Sequence, residues 1–105
     1  MQPVVVTTSC GSFEEAEKIA RQVLDERLAA CVQISPAQSM YWWNDVIESE
    51  KEYIVNMKSK RAFWDRLMVK IKEHHSYEVP EIIATDITAV DDSYRVWLNT
   101  ELSDR

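Results

Sequence analysis

Met40-Tyr-Trp-Trp-Asn-Asp-Val-Ile-Glu-Ser-Glu-Lys-Glu-Tyr-Ile-Val-Asn-Met-Lys-Ser59 is the stretch from which the rest of the chain can be read. It divides at Asn44-Asp45, a dipeptide that tolerates the positive φ angles of a two-residue hairpin turn. The second arm, Val46 to Ser59, spans roughly 45 Å if it stays extended at about 3.3 Å per residue. A compact domain of this chain length has a diameter of roughly 33 Å. The hairpin is therefore expected to project from its own body, with Tyr41, Trp42, Trp43, Val46 and Ile47 at its tip. An apolar ribbon with unpaired edges aggregates unless a neighbouring copy covers it. The hairpin thus predicts an obligate oligomer, with Tyr41, Trp42, Trp43 and Ile47 in the interface.

Working outward, Pro3-Val-Val-Val-Thr-Thr8 is β-branched and long enough for a first strand, and Ser9-Cys10-Gly11 is expected to turn the chain. Ser12-Phe-Glu-Glu15 matches a capping box, in which Ser12 accepts from a first-turn N–H and Glu15 reaches back. The helix that follows places Ala16, Ile19, Ala20, Val23, Leu24 and Leu28 on one face. Val32-Gln33-Ile34 forms a second strand, which Pro36 is expected to interrupt because it has no N–H to give a ladder. That strand resumes at Ser39 and runs into the hairpin. A second helix covers about Arg61 to His74, with Phe63, Trp64, Leu67, Met68 and Ile71 inward. Val79 to Ile87 reads as a fourth strand, held to an edge by Pro80. Asp91-Asp92 caps a last helix, Ser93 to Leu102, with Tyr94, Trp97, Leu98 and Leu102 on one side. The order β-α-β-β-α-β-α predicts an α+β fold: a ferredoxin-like (split βαβ) antiparallel sheet with helices on one face, a long hairpin and an extra C-terminal helix.

The 105 residues allow one domain and one core, so 1–105 is expected to form a single domain. The formal net charge is −6 with no run of Lys or Arg, which argues against nucleic acid and anionic membranes as partners and leaves a metal cation unrepelled. With no leader at Met1 and no apolar run near about 20 residues, a cytoplasmic location is expected, with Cys10 and Cys31 reduced.

Candidate chemistry lies in few places. His74-His75 holds the only two histidines, and neutral imidazole ligates zinc and copper. Helix neighbours point about 100° apart, so both rings meet one ion only at a frayed helix end or across a subunit boundary. The alternative is that one His caps the last helical carbonyls and the other is solvated. Cys10, placed in a turn before a helix N-terminus, is expected to have a lowered thiol pKa and to offer a thiolate; its alternative is a small buried hydrophobe. Glu48, Glu50 and Glu52 alternate along one strand face, with Asn56 and Lys58 further along it. Such a row calls for solvent, a hard cation, or pairing with Lys58, Lys60 or Arg61 of another copy. Tyr41, Trp42 and Trp43 either stack on a ligand or anchor an interface. No nucleophile–base arrangement and no hydrolase, zincin or Walker motif occurs, so a protein that is not an enzyme is expected.

Val4-Val-Val-Thr-Thr8, Glu26-Arg-Leu-Ala-Ala-Cys31, Tyr41-Trp-Trp43, Glu50-Lys-Glu52, Lys58, His75-x-Tyr77-x-x-Pro80-Glu81-Ile82 and Tyr94-x-x-Trp97-Leu98 together resemble the CutA family of divalent-cation tolerance proteins. The resemblance implies a homotrimer that binds copper or a similar divalent cation, with no metal needed for folding. It implies a metal site built from a His pair, here His74 and His75, and a first-strand cysteine. That cysteine's column falls on Thr8, two residues before Cys10, and Ser76 stands where the family usually has Pro. The family is also similar in architecture to the PII signalling proteins. This makes a rival reading, a sensor of a small metabolite or anion at an intersubunit cleft lined by Lys58, Glu52, Tyr77 and Trp43.

Overall fold

A computed structural model describes residues 1–102 of the chain. Its elements run β1 (Pro3–Cys10), α1 (Phe13–Asp25), β2 (Cys31–Trp43), β3 (Val46–Lys60), a 3₁₀ turn (Arg61–Phe63), α2 (Trp64–His74), β4 (Ile82–Asp86) and α3 (Asp92–Glu101). The strands form one antiparallel sheet in the order β2-β3-β1-β4. This is the ferredoxin-like arrangement expected from the element order.

Asn44 and Asp45 take φ angles of 50° and 63°, the left-handed pair that a type I′ hairpin turn needs. From there the β2–β3 register runs unbroken from Trp43↔Val46 to Cys31↔Lys58. Pro36 does not interrupt β2, because β2 lies at the sheet edge, where a missing N–H is tolerated. β1 joins β3 only from Tyr53 to Lys60. Beyond Tyr53 the hairpin is a two-stranded ribbon, and the molecule measures 44 × 26 × 21 Å.

The core is the sheet face bearing Val4, Val6, Cys10, Val55 and Met57, packed under Ala16, Ile19 and Val23 of α1 and Leu67 and Ile71 of α2. Leu98 and Leu102 close it from the C-terminal helix. Three boundaries differ from the sequence reading. β1 continues to Cys10, because Ser9 and Cys10 still find partners in Ile54 and Tyr53. α1 stops at Asp25, where Arg27 enters the left-handed region at φ 56° and donates to the Glu101 carbonyl and carboxylate. Leu24 consequently lies at 38 % exposure, while Leu28 folds under the helix end into the core. β4 begins only at Ile82, after Pro80.

Candidate metal centre and the adjoining cleft

The end of β1, the first turn of α1 and the segment after α2 meet at one corner. Ser12 caps α1 by accepting from the Glu15 N–H at 3.2 Å. Glu15 does not reach back as a capping box would; its Oε1 accepts instead from the Ser76 N–H at 2.9 Å. The helix N-terminus sits above the strand end, so Glu15 faces the α2 exit rather than its own cap. Its Oε2 is buried without a hydrogen-bond partner among the described residues.

His75 follows directly. Its side chain is wholly buried. Nε2 lies 2.8 Å from the Ser9 carbonyl oxygen, so it carries the proton and donates. Nδ1 accepts from the Tyr77 N–H at 3.1 Å. These partners fix the neutral Nε2–H tautomer. Cys10 Sγ lies 3.9 Å from Nε2, and Glu15 Oε2 lies 4.0 Å from Nδ1. Cys10, Glu15 and His75 each offer one ligand atom within 4.8 Å of the others. Sulfur, nitrogen and carboxylate oxygen together suit a borderline-soft divalent ion such as zinc or copper. The Glu15 oxygen, buried without a hydrogen-bond partner among the described residues, leaves this corner able to accept a positive charge.

The expectation of a thiolate at Cys10 is corrected. Burial pushes the thiol up to about 12, and the charge on Glu15, with Glu52 behind it, acts the same way. Cys10 closes a strand and points into the core instead of lying in an exposed turn, so no helix-terminus effect prevails. A metal bound to this sulfur would have to displace its proton. Thr8, at the family's cysteine column, is buried two residues back on the same strand face, and its hydroxyl has no partner among the described residues. His74 ends α2 and stands outside the three-residue group.

Tyr77 links this corner to a second feature. Its hydroxyl donates to Glu52 Oε2 at 2.7 Å, and burial and that carboxylate together hold the phenol well above its usual range. Gly11 permits the approach, since a Cβ there would lie 3.2 Å from the Tyr77 hydroxyl. Beyond the pair opens a cleft of about 870 Å³ lined by residues that include Tyr41, Trp42, Trp43, Glu48, Glu50 and Glu52. Glu78 and Glu81 complete an acidic wall in which no Lys or Arg stands among the described residues. Trp43, Glu52 and Tyr77 are thus brought together within one chain. Lys58 is not; it lies six residues along β3 and donates to Gln33 Oε1 at 2.8 Å. Glu15, Glu78 and Glu81 were missed from sequence. Glu15 was masked by its capping pattern, although its place in the first turn of the helix that follows Cys10 was a usable signal.

Comparison with known proteins now decides the family. The family model described as CutA1 divalent ion tolerance protein matches residues 4–101. This chain belongs to the CutA1 family. It is 38% identical to the divalent-cation tolerance protein CutA of Pyrococcus horikoshii over 98 residues, 93% of this chain and 96% of that one. Among solved structures it is similar to the periplasmic divalent cation tolerance protein CutA of Archaeoglobus fulgidus, with a TM-score of 0.94 at 31% identity, covering 96% of this chain and 99% of the other. CutA1 of Oryza sativa also superposes with a TM-score of 0.94, at 30% identity over 100% of this chain and 97% of that structure. CutA1 membership places the chain among proteins named for cation tolerance. Among the described residues no helix is long and apolar enough to cross a membrane.

Proposed function

We propose that this CutA1 chain is a non-catalytic, single-domain protein of the cytoplasm that binds a divalent cation in the service of cation tolerance, working as a homotrimer. The carrying observation is the group of Cys10, Glu15 and His75, whose ligand atoms lie within 4.8 Å of one another at a buried corner. His75 supplies the principal nitrogen and Cys10 the sulfur, with copper or zinc as the fitting ions. Binding releases the thiol proton, so affinity rises with pH. His74 joins only if the α2 end unwinds or a neighbouring copy brings another site to it. The apolar core is complete without an ion, which supports folding in the metal-free state.

The trimer reading rests on the hairpin, which extends past Tyr53 with Met40 70 %, Trp42 71 % and Ile47 55 % exposed. Tyr41, Trp42, Trp43 and Ile47 form the interface in this reading. The cleft is acidic, which supports a cation rather than a small anion there; an anion would need Lys58 of another copy.

Calorimetric titration with Cu²⁺ and Zn²⁺ tests the proposal on wild type against His75→Ala, His74→Ala/His75→Ala and Cys10→Ser. Loss of one binding equivalent per chain in the His75 variants is expected. Unchanged stoichiometry and affinity would remove His75 and His74 as ligands.

A further inference from the structure

We infer that cation capture at this corner switches the His75 tautomer, frees Tyr77, and so unclasps the acidic cleft. The inference rests on the cation reading above and concerns what binding must do to the chain. Three consecutive residues close the corner. His75 Nε2–H is held by the Ser9 carbonyl, the Ser76 N–H by Glu15 Oε1, and the Tyr77 N–H by His75 Nδ1, while the Tyr77 hydroxyl reaches Glu52. Both ring nitrogens of the buried imidazole are therefore already in use.

A cation needs a ring lone pair, and each way of obtaining one evicts the Tyr77 amide. If the ion takes Nδ1, that lone pair no longer accepts from Tyr77. If it takes Nε2, on the side where Cys10 Sγ lies 3.9 Å away, the Nε2 proton leaves to solvent. To stay a neutral imidazole the ring then takes a proton at Nδ1, and an N–H there faces the Tyr77 N–H, donor against donor. The second route has an acceptor in place. Glu15 Oε2, buried and unpartnered among the described residues, lies 4.0 Å from Nδ1. A metal-bound histidine commonly donates its other N–H to a carboxylate, which orients the ring and raises its basicity. Glu15 is thus a positioning residue, and the ion itself is held by Cys10 and His75.

The consequence travels two residues. Tyr77 packs its ring 4.9 Å from His75 and passes over Gly11 to reach Glu52 at the cleft floor. Once its amide is expelled, the Tyr77 hydroxyl leaves Glu52, and a buried carboxylate at the base of the hairpin loses its donor. Glu52 is 5 % exposed, so it is then drawn to another donor or cation. Ion occupancy at the corner is in this way communicated to the cleft and the arm that bears it.

The test uses the assembled wild-type protein, labelled with ¹⁵N and titrated with Zn²⁺ alone. Long-range ¹H–¹⁵N spectra are expected to show His75 passing from the Nε2–H to the Nδ1–H form, with exchange protection of the Tyr77 amide falling at least tenfold at saturation. Tyr77→Phe, which releases the clasp beforehand, should bind Zn²⁺ about 5-fold tighter, the equivalent of about 1 kcal/mol for one hydrogen bond. Glu15→Gln should bind about 10- to 100-fold more weakly. Zn²⁺ binding at His75 with the Tyr77 amide still protected overturns the coupling and leaves the cation reading standing. Saturation with no change in any His75 ring resonance overturns the cation reading and the coupling with it. Both of these outcomes are read on wild type, so neither depends on whether a variant folds.

Discussion

Ile47 and Val55 lie on the same strand, β3, and by alternation on the same side of it, yet Val55 is fully buried and Ile47 is 55 % exposed. The difference is what lies alongside. At Val55 the strand has β2 on one side, β1 on the other, and helices above; at Ile47 it has β2 alone. Fully burying a side chain of this size contributes about 1.5–3 kcal/mol, and the body collects that contribution within one chain. The arm carries Met40, Trp42, Val46 and Ile47 without collecting it. A two-stranded ribbon is marginal in water on its own. In the proposed trimer one strand thus serves two purposes, with its first half given to contact between copies and its second half to the fold.

The largest expected effect strikes the arm. Trp42→Asp puts a charge into the contact proposed for the trimer, where an uncompensated buried charge costs on the order of 3–5 kcal/mol for every copy. Sedimentation should show single chains, while far-ultraviolet circular dichroism stays that of wild type. An intact oligomer would place the interface elsewhere. The matching change in the body is Met57→Ala, which leaves a cavity under the helices and should remove about 2–5 kcal/mol of unfolding free energy. Urea denaturation at fixed protein concentration measures it, with assembly retained where the chain is folded. If Met57→Ala weakened association more than folding, the division between the two halves would be false.

Alkaline pH probes the corner between body and arm. The folded Cys10 thiol titrates at about 12 against an ordinary 9.0. Between those values the unfolded chain binds fewer protons than the folded one, so stability falls as pH rises, and below pH 9 this contribution is fully present. The slope for one such group reaches at most about 1.4 kcal/mol per pH unit. Tyr77, raised from 10.0 by burial and by Glu52, adds to the loss at higher pH. Urea midpoints at pH 8, 9 and 10 should decline more steeply for wild type than for Cys10→Ala. Equal slopes would mean that the thiol is not buried in solution.

The hairpin was legible because its signals are local: a turn dipeptide, period-two alternation and sheer length. The capping residues Ser12 and Asp91 were legible for the same reason, and each accepts from the residue three further on. The corner was only half legible. His75 and Cys10 stood out by type, but their states did not, because Cys10 is buried through pairing with Tyr53, on a strand more than forty residues away. Glu15 looked like a cap until Ser76 arrived from the far end of α2 to claim it. Pro36 looked like a break because the order of strands, which makes β2 an edge, is not written in β2 itself. What the sequence concealed in each case was a partner distant along the chain.

The smallest effect should come from the turn, and it sharpens the comparison most cleanly in the Trp42→Asp background, where chains should be single. Asp45 holds φ 63°, a conformation that costs a β-branched residue roughly 1–2 kcal/mol. Asp45→Val should therefore deform the tip, and Asp45→Gly should relax it by a few tenths of a kcal/mol at most, since glycine's gain there is offset by its freer unfolded chain. Neither change should move the urea midpoint of the single chain, because the body's core begins at Tyr53 and does not sense the turn. In the wild-type background the same two changes should instead appear in the assembly constant, Val weakening it and Gly leaving it nearly unaltered. A shifted midpoint in the single chain would show that the arm helps hold its own body together, and that the two halves of β3 fold as one.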